Sequence, residues 1–228
     1  MKKIAVILYG QPGAGKGTQA NLLAAKFGLI HLDTGKFLES IVHDPARQKE
    51  AVVRRERKLF DTGILMTPSF VTREVVRGAK RIAGSGWGIV FSGSPRTIYE
   101  AEREYPILEK LYGKKNILVF ALDLPAEYSI RRNGARMVCT VCGYLFPAEL
   151  YAKKSARPKR CPVCAGPFYK RSLDKPEVIK VRLEEYRKRT FPIFDFLKKR
   201  GGYRVIHVDA RPAPYKVAER IYACIKNA

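Results

Sequence analysis

Gly10-Gln11-Pro12-Gly13-Ala14-Gly15-Lys16-Gly17-Thr18 follows an apolar run, Ile4–Tyr9, and opens a helical pattern, Gly17–Phe27. A glycine-rich loop between a buried strand and a helix presents converging backbone N–H groups. Side chains would block their approach to phosphate oxygens, and the helix N-terminus adds its positive dipole. Lys16 supplies a point charge for β- and γ-phosphates. The strand–loop–helix context favours a phosphate cradle over a purely structural glycine turn. The general motif sets Ser or Thr directly after the lysine, but here Gly17 intervenes before Thr18.

Outward from that loop, short apolar runs alternate with helical patterns. The runs Ile4–Tyr9, Leu29–Leu32, Gly88–Phe91, Ile117–Leu122 and Tyr203–Val208 predict strands. The stretches Gly17–Phe27, Ser69–Ala83, Thr97–Tyr112, Pro125–Arg132, Pro176–Lys199 and Ala213–Lys226 predict helices. Alternation of this kind implies an α/β fold, a five-stranded parallel sheet with helices on both faces. Two regions break the alternation. Lys36 to Thr67 is helical and heavily charged, with Arg54-Arg55-Glu56-Arg57-Lys58 at its middle. Met137 to Lys170 is rich in Pro, Gly, Cys and aromatic residues and has no helical period. Both are expected as insertions on the carboxyl-end side of the sheet, where open α/β sheets bind ligands.

The chain of 228 residues suffices for one α/β domain with a small insertion. Its 46% hydrophobic and 29% charged content is that of a soluble globular protein, and no apolar run reaches the ~20 residues a membrane helix needs. The opening Met-Lys-Lys and the apolar run after it lead into a glycine loop rather than a cleavage site, so a buried first strand is the expectation, not a secretory signal. A cytoplasmic location with reduced thiols follows as an expectation. The net charge of +23 makes a strong field for anions. Nucleic acid and polyphosphate substrates both answer to that field, and charge alone does not choose between them.

Cys139-Thr-Val-Cys142 and Cys161-Pro-Val-Cys164 are separated by 18 residues. Two CxxC knuckles at this spacing predict a tetrahedral thiolate site for a structural Zn²⁺, with redox chemistry the weaker alternative. Tyr144, Phe146, Phe168 and Tyr169 are placed to pack the small ribbon, whereas Cys224, alone on the last helix, reads as core. Arg132 and Arg136 precede the first knuckle, Arg171 follows the second, and Arg182 sits on the next helix. Arginines bracketing such an insertion suit a lid that closes over a triphosphate.

Read through Gln19, the loop is spelled Gly-x-Pro-Gly-x-Gly-Lys-Gly-Thr-Gln, and the third strand ends in Gly93-Ser94-Pro95-Arg96-Thr97, like the Gly-Phe-Pro-Arg-Thr of adenylate kinases. With the four-cysteine insertion, the chain resembles the adenylate kinase family over essentially its whole length. The resemblance implies a P-loop NTPase fold, with a core of residues 1–35, 68–136 and 171–228, a helical NMP-binding insertion at 36–67, and a zinc-binding lid at 137–170. It implies an ATP-dependent nucleoside monophosphate kinase, with AMP the first candidate acceptor, Mg²⁺ accompanying ATP, and a monomer. Lys16, Arg96, Arg132, Arg136, Arg171 and Arg182 would be catalytic. Gly13, Ala14, Gly15, Lys16, Gly17, Thr18, Arg132, Arg136 and Phe146 would bind ATP. Thr34, Lys36, Gly93, Arg96, Glu100, Arg171 and Arg182 would bind the acceptor. Phosphoryl transfer needs positioning and charge stabilisation rather than a general base, so the cations are what the chemistry asks for. The alternatives are a kinase of the same fold for another small acceptor and a zinc-bearing P-loop ATPase acting on nucleic acid.

The departures from the family lie mostly around the acceptor. Thr-Gly-Asp-x-Leu-Arg becomes Thr34-Gly35-Lys36-Phe37-Leu38-Glu39, so a phosphate-holding arginine is a glutamate and the nearby aspartate a lysine. At i,i+3 spacing Lys36 and Glu39 are expected to form an ion pair with its ends reversed. The family's adenine-reading glutamine is Glu100, which accepts but does not donate when ionised. On the metal side the family's aspartate after strand three is Ser92. Asp33, at the end of strand two, is either its replacement toward Mg²⁺ or an ordinary helix cap. Leu173 replaces one of two aspartates after Arg171 and leaves Asp174.

Overall fold

Every residue of β1 (Ala5–Tyr9) is buried, because the strand lies at the centre of a sheet covered on both faces. It pairs in parallel with β3 (Gly88–Phe91) on one side and β4 (Ile117–Asp123) on the other. β2 (Leu29–Leu32) and β8 (Val205–Asp209) form the edges, giving the all-parallel order β2-β3-β1-β4-β8. The structure is a computed structural model and describes residues 3–146, 148 and 157–226. It is the five-stranded α/β sheet that the strand–helix alternation predicts. The last strand starts two residues later than its apolar run, at Val205.

The period of two along β1 divides the core. Ala5, Ile7 and Tyr9 pack with residues of α4 (Pro68–Gly84), α5 (Ile98–Tyr112) and α8 (Ile193–Arg200). Val6 and Leu8 face the other way, toward α1 (Lys16–Phe27) and α9 (Pro214–Lys226). With apolar layers on both faces, the strands read as continuous hydrophobic runs. The chain order reverses direction across β1, so the crevice at its carboxyl end is a topological switch point.

The single long helix predicted over Pro176–Lys199 is interrupted. α7 (Pro176–Glu185) passes into a π-helical segment, Tyr186–Thr190, before α8 begins. Pro192 has no N–H to donate, and its ring would clash with the carbonyl four residues back. The wider turn, seen in Phe191 N donating to Tyr186 O at 2.8 Å, absorbs the conflict. It also brings the Thr190 hydroxyl onto the Arg96 carbonyl at 2.9 Å.

Beyond the sheet, residues between β2 and α4 form α2 (Thr34–Val42), a 3₁₀ turn at Pro45–Arg47 and α3 (Ala51–Thr62). α6 (Ala126–Ala135) leads into a small antiparallel sheet of β5 (Met137–Cys139), β6 (Leu145–Phe146) and β7 (Phe168–Tyr169), in the order β6-β5-β7. α3 ends at Gly63, whose φ of +82° and closeness to Val178 leave no room for a side chain. The next residues, 64–67, turn back along the cavity described below. Their anchor is Glu56, fully buried, which accepts from Thr67 N at 2.7 Å and from the Thr67 hydroxyl at 2.6 Å. Glu56→Ala would strand the Thr67 N–H in the interior. It is expected to cost about 1–3 kcal/mol, read as a lower urea midpoint with unchanged slope.

Candidate active site

The carboxyl ends of β1, β2 and β3 open on one cavity of about 300 Å³. The loop after β1 forms its floor. Gly15 caps α1 in the left-handed conformation, at φ +86°, with no side chain closing the helix end, so the first N–H groups of α1 face the cavity. α6 braces the loop: the Ser129 hydroxyl donates to Pro12 O at 2.5 Å, and Asn133 Nδ2 donates to Ser129 O at 2.8 Å. A Cβ on Gly13 would sit 2.7 Å from Asn133 Nδ2, so this glycine is needed for packing as well as for phosphate approach. Gln11 Nε2 bonds Leu124 O on the other flank. Neither Ser129 nor Asn133 was singled out from sequence, since an ordinary helix face carries no motif.

Lys16 folds back on its own loop, with Nζ donating to Gly10 O at 2.5 Å and Gln11 O at 3.1 Å. Burial pushes its pKa well below the usual lysine range, and the guanidinium groups of Arg96, Arg182 and Arg136 push it further. Arg182 is brought down to about 9, again by burial first and then by Arg136, Arg96 and Arg171. Arg96 is lowered by its burial, though Glu100 and Asp33 partly oppose this. These groups line one cavity, and like charges at this density in a poorly solvated space call for an anion.

The carboxylates present compensate only in part. Asp174 is buried and takes Arg136, whose Nε lies 2.8 Å from Oδ2, with Arg182 at 3.8 Å. Arg96 Nε donates to Gly93 O at 2.7 Å, and among the described residues no carboxylate lies within ion-pair distance of it. Arg132 lines the cavity while donating to Ala210 O at 2.8 Å and Arg211 O at 3.0 Å. Those carbonyls follow β8, so Arg132 ties α6 to the far rim. Phe146 is buried in the cavity wall against Phe168.

One expected contact is replaced. Among the described residues no ion pair joins Lys36 to Glu39; Glu39 instead reaches Arg171, at 3.3 Å. Arg171 is largely buried among other cations, and a partly desolvated guanidinium takes the nearest carboxylate. Lys36 is exposed and extends toward the ribbon turn at Gly143. Proximity in sequence predicted the wrong partner, because the right one lies 132 residues away.

Toward α2 and α3 the cavity is lined by Leu38, Phe60, Leu65, Met66 and Val71, with Thr34, Gly93 and Glu100 supplying polar atoms. Thr34 Oγ1 is buried without a hydrogen-bond partner, a polar atom left for a ligand to satisfy. Asp33 caps α2, its Oδ1 accepting from Lys36 N at 3.1 Å, and lines the cavity together with Thr18 and Ser92. Ser92 Oγ is 2.8 Å from His31 Nε2, and His31 Nδ1 is 2.7 Å from Asn21 Oδ1. This chain orients the serine that stands in the aspartate's place. Carboxylate and hydroxyl oxygens of this kind are hard donors that suit Mg²⁺ and its water shell.

In the ribbon, the sulfurs of Cys139, Cys142, Cys161 and Cys164 all lie within 4.8 Å of one another. Cys139 and Cys164 are 3.4 Å apart, and Cys142 and Cys161 3.6 Å. The backbone N–H groups of Val141 and Val163 each point at the sulfur two residues back, at 3.4 Å. Such donors favour thiolates, and backbone N–H groups hold Cys139 down to about 6. The four cysteines are thus positioned to bind a metal. The intervening residues 147 and 149–156 lie outside those described.

A parallel sheet with a glycine-rich loop at its switch point, facing a cluster of partly buried arginines, defines a P-loop phosphotransferase. Comparison with known proteins narrows the class. The family model for adenylate kinase matches residues 8–202. The chain is 33% identical to an adenylate kinase of Caldicellulosiruptor bescii over 196 residues, 86% of this chain and 87% of that one. It is 34% identical to an adenylate kinase of Symbiobacterium thermophilum over 90% of this chain and 91% of that one, and 31% identical to one of Chlamydia caviae over 98% of both. The chain belongs to the adenylate kinase family and is a nucleoside monophosphate kinase. No helix among the described residues is long and apolar enough to cross a membrane.

Losing one sulfur ligand is expected to loosen the ribbon. Cys161→Ser should lower Tm, with about 2–4 °C lost per kcal/mol for a chain of this size. Chelator treatment of the unsubstituted chain should reproduce the shift, and calorimetry with and without chelator checks both.

Proposed function

We propose that the chain transfers the γ-phosphoryl group of Mg·ATP to a nucleoside monophosphate, with AMP as the acceptor. One observation carries the reading: Lys16, Arg96, Arg136, Arg171 and Arg182 converge on a single phosphate loop, and the nearby carboxylates neutralise them only in part. Residues 1–35, 68–136 and 171–228 serve as the core, 36–67 as the acceptor-binding insertion and 137–170 as the lid.

In this reading the loop N–H groups of Gly13–Thr18 and Lys16 hold the donor's phosphates, while Arg132, Phe146 and the residues after β8 face its nucleoside. Arg96 holds the acceptor phosphate next to the transferred group, and Arg136, Arg171 and Arg182 close on it from the lid side. A loose transition state spreads charge over the equatorial oxygens, where these preoriented cations stabilise it most. No side chain has to remove a proton. A closed ribbon excludes water, which directs the phosphoryl group to the acceptor. Asp33, Thr18 and Ser92 would hold Mg²⁺ through its water shell; when bound, the ion neutralises charge developing on the phosphates. Zn²⁺ is the metal proposed for the four cysteines. A tetrahedron with Zn–S near 2.3 Å has edges of about 3.8 Å, close to the 3.4 and 3.6 Å sulfur separations.

Coupled measurement of ADP production from ATP with AMP, CMP, UMP, GMP and dTMP tests the acceptor. Lys16→Ala and Arg96→Ala should each lower kcat by about 10²–10³ while Tm stays near that of the parent; near-normal turnover in either would count against phosphoryl transfer at this site. Glu39→Gln bears on the acceptor phosphate. The carboxylate both repels that phosphate and occupies Arg171, so its neutralisation should lower the AMP KM roughly tenfold and leave the ATP KM nearly unchanged. Steady-state kinetics with each substrate varied in turn checks the split.

A further inference from the structure

Beneath the acceptor end of the cavity, two carboxylates lie in contact with one hydroxyl. Glu100 is 1% exposed and Glu104 2%. Ser94 Oγ is 3.0 Å from both oxygens of Glu104 and 3.5 Å from Glu100 Oε2. A serine hydroxyl has one hydrogen and cannot donate to two carboxylates at once. Two desolvated like charges this close do not both ionise, and they titrate as a pair. No ion pair reaches either carboxylate among the described residues. The cluster therefore retains a proton in a range where isolated carboxyl groups have lost theirs.

The groups facing the pair come from four elements. From the loop before α5, Arg96 N donates to Glu100 Oε2 at 2.7 Å and the Thr97 hydroxyl to Oε1 at 3.0 Å, and the Arg96 guanidinium acts on Glu100 as a charge, all three opposing the rise that burial causes. From the π-helical segment, Arg189 acts on Glu100 at longer range, itself paired with Glu185 at 3.0 Å. From β1, Tyr9 faces both carboxylates, and Tyr105 of α5 faces Glu104; their hydroxyls are 3.2 Å apart. Burial raises both carboxyl groups, Glu104 the more strongly. Only Glu100 lines the cavity, so only its protonation state is felt by a ligand.

We propose that Glu100 reads the acceptor base, and that its own proton, held beside Glu104, sets which purine it takes: adenine when Glu100 carries that proton, guanine when it does not. This rests on the nucleoside monophosphate kinase reading given above. A protonated carboxyl offers one donor and one acceptor, as an amide does. That pair matches the ring nitrogen N1 and the amino group of adenine. An ionised carboxylate only accepts, and matches the adjacent N1–H and N2–H of guanine. Against adenine it meets one lone pair with another and leaves the polar edge unpaired, which a buried site discriminates strongly.

The sign follows from the raised titration. Below it AMP is the better acceptor, and as pH rises through it AMP loses affinity and GMP gains. AMP and GMP carry the same phosphate, so the ratio of their kcat/KM values cancels phosphate ionisation and every step common to both. Measured from about pH 5.5 to about pH 8.5, that ratio should fall by up to about tenfold per pH unit above the pair's titration. Glu100→Gln, which always offers a donor and an acceptor, should hold the ratio high and flat. Calorimetric binding of AMP and GMP to the unsubstituted chain at both ends of the range reads the same change without relying on a variant. A flat ratio in the unsubstituted chain, or a fall of the same size in Glu100→Gln, would overturn the proposal. If neither nucleotide accepts a phosphoryl group from ATP at any pH but their binding still crosses over, the kinase reading fails and the base reader stands.

Discussion

Cationic side chains crowd around one loop at the carboxyl end of β1, in a space with little water to screen them. Burial and mutual repulsion lower Lys16, Arg96 and Arg182 together. The surrounding architecture supports that arrangement. A parallel sheet buried on both faces ends all its strands on the same side, and α6 clamps the loop through Ser129 and Asn133. The π-helical turn forced by Pro192 ties Thr190 to the Arg96 carbonyl.

The cations are paired with oxygen atoms of the chain itself. Asp174 takes Arg136 and part of Arg182, Glu39 takes Arg171, and Lys16 turns onto the carbonyls of its own loop. These contacts resemble in kind those a phosphate would make, oxygen atoms facing guanidinium and ammonium groups. Asp174 is buried with its arginines and belongs to the scaffold of the site, whereas Glu39 is partly exposed and easily displaced.

Position 100 shows how a change of one functional group reaches past its own place in the chain. An amide replaced by a carboxylate at position 100 falls within reach of a second buried carboxylate, and the chemistry becomes that of a pair. Glu100 also closes the N-terminal turn of α5, since the Thr97 hydroxyl accepts from Glu100 N while the carboxylate accepts from Thr97. Thr-x-x-Glu is the spelling of a capping box, legible in the sequence once the helix start is known, though here the carboxylate takes the Thr97 hydroxyl and Arg96 N. Position 100 thus carries a structural duty and a place in the cavity wall at once.

The fold class, the phosphate loop, the flanking arginines and the paired cysteines were all legible in the amino-acid sequence, because each rests on local spacing. Strand period, glycine placement and CxxC knuckles constrain residues a few positions apart, where chain geometry alone dictates who meets whom. Partners across long separations were not. Lys36 and Glu39 sit at ion-pair spacing, yet Glu39 meets Arg171 because the segment after β7 comes back against α2. His31 and Asn21 orient Ser92 with no motif to announce them, and the proton count of Glu100 and Glu104 depends on burial and on one serine hydroxyl. Sequence alone determined which chemistry the chain carries. Only the tertiary structure decided which charges face each other out of water, since desolvation and charge pairing arise when distant segments close over the same space.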